Sequence, residues 1–310
     1  MMLETKEDIA QRLGILDYDA CLLFPRYFEI ETINACNARC IMCTINEWNA
    51  SVKKIISDTL WQKFVKNVAN YVNVIEKITL TRDGEPLLDK KLSQRIQELK
   101  CIGIKKVVIV TNAQILDKNK AQEILESGID EVMFSIDGYS KEVYEKIRIG
   151  LNRERVYSNV LNFIKLRNES FPKVCIKVRF IEQELNKMES KIWLDFWKSK
   201  IKSTDVAYIM PLHSWGNQLV SEKQEKIELF SSFACISPFG SMAIHYDGRV
   251  GLCGVDYGGK CLMGDFSRET IEKIWRGNKF NEVRDLHLSK QRNVIELCRG
   301  CDLWDRTYKY

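Results

Sequence analysis

The feature that most constrains this sequence is a group of three cysteines directly after an alternating apolar segment. Cys36, Cys40 and Cys43 have C-x3-C-x2-C spacing on one short stretch. Soft sulfur ligands match iron, and a short loop can surround a compact cluster, so the spacing favours an iron–sulfur cluster. A structural zinc site is the alternative, but such sites typically use paired C-x2-C motifs or nearby histidines. The chain's three histidines all lie far from this loop.

Three ligands are one fewer than a closed four-iron cluster takes, so one iron would remain open to another ligand. The spacing, on a loop after a first predicted strand, resembles that of the radical SAM superfamily. This resemblance implies that S-adenosylmethionine chelates the open iron through its amino and carboxylate groups.

A second motif extends the resemblance. The stretch Thr81-Arg82-Asp83-Gly84-Glu85-Pro86 is similar to the family's Gly-Gly-Glu-Pro motif, which hydrogen-bonds the amino group of S-adenosylmethionine. It departs from the motif at Asp83, where glycine is usual. Glycine allows close backbone approach to a ligand and proline fixes the exit of the turn. Gly84, Glu85 and Pro86 are therefore predicted to bind the cofactor, the alternative being an ordinary strand-to-helix turn.

Polar residues end two further apolar strands. The resemblance implies that Asn112 and Ser135 contact the ribose and carboxylate of the cofactor. Asp137 either joins this group or caps the following helix. Arg148 resembles an arginine often found after that strand, but a solvated helix face is its expected position.

Strand-like and helix-like stretches alternate along the first two thirds of the chain. Apolar, β-branched segments predict strands at residues 27–33, 75–81, 105–111, 131–137, 173–181 and 205–210. Amphipathic patterns predict helices at 59–72, with Asp58 as N-cap, and at 91–100, 119–127, 153–167 and 192–200. Strands joined through helices imply a parallel sheet with right-handed crossovers. The predicted fold class is α/β: a partial (β/α)6 barrel, the fold of the family that the cysteine loop resembles, with a small C-terminal domain.

The pattern changes after residue 211. We predict an N-terminal extension at 1–26, the barrel at 27–211, a connector at 212–234 with a helical piece near 222–230, and a second domain at 235–310. In that domain, Asp247-Gly248 predicts the turn of a hairpin formed by 241–246 and 249–253. A helix at about 269–286 follows.

Four more cysteines lie in the predicted second domain. Cys235 and Cys253 flank the hairpin, and Cys298 and Cys301 form a C-x2-C pair. Together they can ligate one further cluster completely, although a four-cysteine zinc site has the same spacing. The arrangement is similar to the SPASM/twitch auxiliary-cluster domains of radical SAM enzymes, and the form with one auxiliary cluster is the better match. The predicted cofactors are therefore two [4Fe–4S] clusters and S-adenosylmethionine.

The composition of the chain limits its expected partners and its expected location in the cell. The chain has 310 residues, a formal net charge of +5 without a Lys/Arg block, and eleven cysteines in clustered spacing. These features argue against nucleic-acid or membrane partners and favour a reducing, cytoplasmic location.

The resemblance implies cleavage of S-adenosylmethionine to a 5′-deoxyadenosyl radical that abstracts a hydrogen atom from the substrate. We expect the oxidation of a carbohydrate- or aminocyclitol-type small molecule, with flavodoxin or ferredoxin as electron donor. The alternatives are a sugar epimerase or dehydratase, a peptide- or protein-modifying maturase, and a non-catalytic electron carrier. Catalytic candidates are Arg179, a charge in an apolar strand, and Cys261, which is otherwise a spare thiol or an alternative cluster ligand.

Overall fold

The structure is a computed structural model that describes residues 5–47, 54–216, 218, 234–299, 301 and 303. Within these ranges, no helix is both long and apolar enough to span a bilayer. The helix expected near 222–230 lies outside the described residues.

Each of the six stretches predicted as strands contains one. These strands are β1 (Tyr27–Ile30), β2 (Lys77–Thr79), β3 (Val107–Thr111), β4 (Glu131–Ser135), β5 (Cys175–Glu182) and β6 (Val206–Pro211). Strands β3 to β6 pair in parallel in the order β3-β4-β5-β6. Short regular ladders join Ile33–Asn34 to Lys54–Ile55 and Arg39–Cys40 to Arg148–Ile149. The predicted α/β class, with the parallel strands of a partial barrel, is confirmed.

Helices fill the connections, as the apolar periodicity predicted. They are α1 (Lys6–Leu13), α2 (Tyr18–Leu23), α3 (Asp58–Ala69), α4 (Leu92–Cys101), α5 (Lys118–Glu126), α6 (Lys141–Ile147), α7 (Arg153–Ser170), α8 (Ser190–Lys198), α9 (Ser237–Gly240), α10 (Ile271–Trp275) and α11 (Asn278–Leu288).

Two details of the helix predictions were wrong. Ser57, not Asp58, caps α3, because its hydroxyl accepts the Leu60 N–H while Asp58 is the first helical residue. The helix expected over 269–286 is divided into α10 and α11 at Gly277, whose backbone is extended (φ −70°, ψ 163°).

The chain forms two compact units, each assembled from separated stretches. The cysteine-loop unit contains Thr32–Ile55 and Thr79–Leu212, and the hairpin unit contains the described parts of Met1–Glu31, Ile56–Ile78 and His213–Arg306. The domain boundaries predicted from the sequence divide the chain into contiguous segments, unlike these two units. Those boundaries stay a prediction.

The hairpin unit is built around strand pairing and an apolar cluster. Strand β1 pairs in parallel with β7 (Ser241–Ile244), which pairs antiparallel with β8 (Arg249–Gly251), and β8 with β9 (Leu262–Asp265). The predicted hairpin is confirmed, and Gly248 at its turn has a φ of +95°. Helices α1 and α2 bury Ile9, Leu13 and Cys21 with Phe239, so these N-terminal helices belong to this unit's core.

Candidate iron–sulfur centres

The first site, called here the three-cysteine site, consists of Cys36, Cys40 and Cys43. Its loop is fixed by backbone pairing: Cys40 lies in register with Arg148, and the Ile41 N–H donates to the Ile147 carbonyl at 3.1 Å. Arg39 adds hydrogen bonds from Nη1 to the carbonyls of Cys36 and Ala38 at 3.0 and 2.7 Å. The loop is therefore held in a defined conformation by its own side chains and by a segment more than a hundred residues later.

The three thiols converge. Burial, together with the nearby Glu85, Cys40 and Cys43, raises the pKa of Cys36 to about 12. Burial likewise raises the pKa of Cys43 to about 11, with Cys40 close enough to add to the effect. Thiols this hard to ionise become good ligands only when a metal supplies positive charge. Three converging sulfur donors fit an iron–sulfur cluster with one iron left open.

Gly84 lies against the chain that leads into this loop. A Cβ added at Gly84 would be 2.2 Å from the Ile33 carbonyl oxygen and 2.8 Å from that of Ala35. The Glu85 N–H donates to the same Ala35 carbonyl at 2.8 Å. Glycine is thus required here by the protein's own backbone, whereas the sequence argument attributed it to approach of a ligand.

The Glu85 side chain is buried, and its carboxylate accepts three hydrogen bonds from within the protein. Its carboxylate accepts from the Thr111 hydroxyl at 2.6 Å, the Asn112 N–H at 2.8 Å and the Leu87 N–H at 3.1 Å. Burial raises its pKa despite these hydrogen bonds. Glu85 therefore ties the turn after β2 to the end of β3, and Pro86 begins the short 3-10 helix that follows.

Asn112 extends from the end of β3 to the cysteine loop. Its Nδ2 donates to Asn37 Oδ1 at 2.8 Å and lies 4.0 Å from the Cys36 sulfur. A residue chosen from its position at a strand end thus contacts the loop beside the cluster ligands.

Ser135 and Arg179 are direct neighbours across β4 and β5. Arg179 Nη2 donates to Ser135 Oγ at 2.9 Å. The Arg179 Nε is buried and has no hydrogen-bond partner among the described residues. The carboxylate partner that was one expectation for Arg179 is not found among those residues. The structure thus places a cation with an unpaired Nε donor beside Ser135 at the end of β4.

Arg148 was assigned wrongly to a solvated helix face. It is buried, its Nε donates to Asp137 Oδ2 at 2.6 Å, and its Nη1 lies 3.6 Å from the Cys40 sulfur. Asp137 does not cap α6, a role taken by Ser140, and instead also accepts the Ile181 N–H at 2.7 Å. Sequence spacing gave no sign of this contact because Arg148 reaches the loop through tertiary pairing.

The second site, called here the four-cysteine site, lies in the hairpin unit. Cys235 precedes α9, Cys253 follows β8, and Cys298 and Cys301 lie on the turn after α11, where the Cys301 N–H donates to the Cys298 carbonyl at 3.2 Å. Burial raises the pKa of Cys253 well above its ordinary value, and Cys298, Cys235 and Cys301 each add to that effect. The four thiols are thus close enough to interact electrostatically, and their donor chemistry fits a fully ligated cluster.

His287 is a residue of this site that sequence reasoning missed. Its Nδ1 accepts the Cys235 N–H at 3.0 Å, and burial lowers its pKa to about 3. A neutral ring that accepts at Nδ1 carries its proton at Nε2. The only sequence signal was a histidine near the end of a helix that leads to the C-x2-C pair.

Cys261 lies near the four-cysteine site, where its thiol adds to the rise in the pKa of Cys298. Its N–H donates to the buried Asp256 carboxylate, which also accepts the N–H groups of Leu252 and Lys260 at 3.1 and 2.8 Å. Burial raises the pKa of the Cys261 thiol, and Asp256 adds to this. Asp256 thus ties the chain around Cys253 to the chain around Cys261.

Comparisons with known proteins agree with these two sites. Residues 30–176 match the model of the radical SAM superfamily, and residues 235–302 match that of an iron–sulfur cluster-binding domain called SPASM. The first range contains the three-cysteine site and the second contains the four-cysteine site.

Two curated relatives of this chain carry the name GTP 3′,8-cyclase. GTP 3′,8-cyclase of Limosilactobacillus fermentum is 28% identical over 220 residues, which cover 70% of this chain and 63% of that protein. Probable GTP 3′,8-cyclase of Methanococcus maripaludis is 31% identical over 141 residues, 46% of each chain. The match therefore spans less than two thirds of these relatives.

Solved structures share the fold over most of the chain. BtrN in complex with AdoMet and 2-DOIA is 17% identical with a TM-score of 0.62, covering 90% of this chain and 93% of that one. Streptococcus suis SuiB bound to precursor peptide SuiA is 15% identical with a TM-score of 0.68, covering 94% and 73%. The predicted cofactors, two [4Fe–4S] clusters and S-adenosylmethionine, are those of the two matched domains. The two matched ranges identify a radical SAM domain at residues 30–176 and an additional iron–sulfur cluster-binding domain at residues 235–302.

Proposed function

We propose that this enzyme is a radical SAM dehydrogenase that oxidises a carbohydrate- or aminocyclitol-type small molecule. The observation that carries the proposal is the convergence of four thiols at the four-cysteine site. Four protein ligands leave no open iron for a substrate, so electron transfer is the role that remains for such a cluster.

Dehydrogenation requires a group that accepts an electron from the substrate. A substrate that loses two hydrogens gives up one as a hydrogen atom, and the second leaves as a proton and an electron. The electron requires an acceptor, which a saturated cluster at Cys235, Cys253, Cys298 and Cys301 supplies. An epimerase instead returns a hydrogen atom to carbon and has no net electron to dispose of.

The three-cysteine site is proposed to hold the other cluster and the cofactor. When bound there, the reduced cluster and S-adenosylmethionine supply a 5′-deoxyadenosyl radical that abstracts hydrogen from the substrate. The protein's part is positioning: Cys36, Cys40 and Cys43 ligate the cluster, and Gly84 and Glu85 hold the loop entry against the end of β3. Asn112, Pro86 and Ser135 complete the proposed cofactor contacts.

Arg179 is a candidate for binding an anionic group of a ligand at this site. Its guanidinium donates to Ser135, and its buried Nε has no hydrogen-bond partner among the described residues. A partly buried cation is stabilised by an opposite charge, which a carboxylate of the cofactor or an acidic group of the substrate would provide. We therefore assign Arg179 to ligand binding.

Further parts of the proposal concern the setting of the reaction. The 235–310 segment is assigned as a twitch-like domain with one auxiliary cluster, following a barrel at 27–211 and a connector at 212–234. The proposed electron donor is a flavodoxin or ferredoxin, and the proposed location is the cytoplasm.

A second candidate function is cyclisation of a purine nucleoside triphosphate. It is favoured by the names of the curated relatives, GTP 3′,8-cyclase, whose similarity covers 46% to 70% of this chain in the two cases described. An isomerising cyclisation has no net two-electron oxidation, so the stoichiometry separates it from dehydrogenation.

The test uses anaerobically reconstituted, reduced protein with S-adenosylmethionine and either GTP or a panel of sugars and aminocyclitols. Dehydrogenation predicts 5′-deoxyadenosine and a product two hydrogens lighter than its substrate, in equal amounts. A GTP-derived product of unchanged mass would establish the cyclase instead. Absence of 5′-deoxyadenosine with every substrate and under strong reduction would favour the electron-carrier alternative.

A further inference from the structure

Arg148 is a charged side chain that reaches a sulfur atom of the three-cysteine site. Its Nη1 lies 3.6 Å from Cys40 Sγ, within hydrogen-bond range for sulfur, and both residues are buried. The contact is fixed on both sides, because Cys40 and Arg148 are register partners in a short antiparallel ladder. A guanidinium is permanently charged, so this N–H···S contact is charge-assisted.

Asp137 balances and orients that charge. Its Oδ2 accepts from Arg148 Nε at 2.6 Å, and a second contact runs to Nη2 at 2.5 Å. Its other oxygen accepts the Ile181 N–H at 2.7 Å from β5. A buried series of contacts therefore leads from Ile181 through Asp137 and Arg148 to the sulfur of Cys40.

We propose that Arg148 and Asp137 together set the reduction potential of the cluster at the three-cysteine site. Reduction adds negative charge to a cluster and its sulfurs, and an N–H donor with positive charge stabilises the reduced form more than the oxidised form. Arg148 therefore raises the potential, and the Asp137 carboxylate offsets part of that increase. The inference depends on the proposed ligation of a cluster by Cys40.

Opposite signs for the two residues distinguish this role from simple support of the loop. Arg148→Gln removes the charge and lowers the midpoint potential. Asp137→Asn leaves the arginine charge uncompensated and raises it. A purely structural pair would instead shift both variants in the same direction. The expected change is on the order of tenfold in the one-electron equilibrium constant, or about 59 mV.

The experiment is a redox titration of the reconstituted full chain followed by electron paramagnetic resonance. The signal that changes on adding S-adenosylmethionine identifies the cluster with the open iron. Lys146→Gln is the control, because Lys146 is exposed on α6, two residues before Arg148, and its ion pair is with Glu142. Its midpoint potential should equal that of the unmodified protein.

Each outcome decides the inference. Opposite shifts in Arg148→Gln and Asp137→Asn, with the iron content retained, support it, whereas unchanged or same-direction midpoints overturn it. If Arg148→Gln does not retain iron, Asp137→Asn carries the test alone, and a midpoint potential at or below that of the unmodified protein overturns the inference. Absence of any signal sensitive to S-adenosylmethionine in the unmodified protein would instead contradict the proposed ligation itself.

Discussion

The three-cysteine site takes its ligands from a single stretch, Cys36 to Cys43, whereas the four-cysteine site collects its ligands from positions 235 to 301. The short loop is supported by residues much later in the chain. Gly84 packs against the backbone that leads into the loop, and Arg148 contacts the Cys40 sulfur. The dispersed ligands are instead placed by the elements on which they lie, a hairpin, a short helix and a tight turn. Ligands that are local in sequence can thus be the more dependent on tertiary structure.

Ligand number separates the two sites chemically. Three thiols leave a coordination position for a cofactor, and four do not. The proposed function therefore uses cysteine for cofactor binding and activation at one site and for electron transfer at the other.

The largest expected effect comes from removing the three-cysteine ligands. Replacing Cys36, Cys40 and Cys43 by alanine should lower the iron from about eight to about four atoms per chain and abolish 5′-deoxyadenosine formation. Iron analysis and chromatography measure both. The matched variant, Cys298→Ala with Cys301→Ala, should lose the other half of the iron and still cleave S-adenosylmethionine. Zinc at the four-cysteine site, or loss of all iron from the first variant, would contradict a two-cluster protein.

Gly84→Ala should damage the three-cysteine site alone. The new methyl group would meet the carbonyl oxygens of Ile33 and Ala35, so the loop entry must move. Overpacking of this kind costs about 1–3 kcal/mol, or more against rigid backbone. We expect a greatly reduced rate of cofactor cleavage with the iron of the four-cysteine site retained.

Gly103→Ala is the control for Gly84→Ala. A methyl group at Gly103 meets open space, although its φ of +93° disfavours alanine. A modest loss of stability with normal iron content is expected. Equal loss of activity in the two variants would show that the contact between Gly84 and the loop entry has no special role.

Sequence reasoning succeeded where a pattern is local. Apolar stretches predicted all six strands, and the polar strand end at Asn112 was found to lie beside Cys36. It failed where a contact is made only in the folded chain. Arg148 lies at the end of an amphipathic helix, and its position in the sequence suggests a solvent-facing side chain. Pairing with Arg39–Cys40 instead places it against the Cys40 sulfur. The pairing of β1 with the C-terminal hairpin was likewise invisible, because no local pattern specifies strand neighbours.

His287→Ala should weaken the four-cysteine site without affecting the other. The substitution leaves the Cys235 N–H without its acceptor, and an unsatisfied buried donor costs about 1–3 kcal/mol. Reduced iron retention at this site and a lower unfolding midpoint are expected, measured by iron analysis and thermal unfolding.

His213→Ala is a matched control for this change. His213 is also buried and also accepts a backbone N–H at Nδ1, from Trp215 at 3.1 Å, but Trp215 is not next to a cysteine. It should lose similar stability and keep full iron. Equal iron loss in both variants would show that His287 has no specific link to Cys235.

The smallest expected effect is that of Cys261→Ala. The residue is attached to Asp256 through its backbone N–H, a bond that alanine retains, so iron content and product formation should stay near those of the unmodified enzyme. In deuterated water, a dehydrogenase leaves no label at a stable carbon of a product two hydrogens lighter. An epimerase must return a hydrogen atom, and a thiol can donate one because its S–H bond is weaker than a C–H bond. Label in a product otherwise equal in mass to its substrate, abolished by Cys261→Ala while 5′-deoxyadenosine continued to form, would identify Cys261 as that donor. It would also show that a saturated four-cysteine site is not sufficient to make the reaction an oxidation.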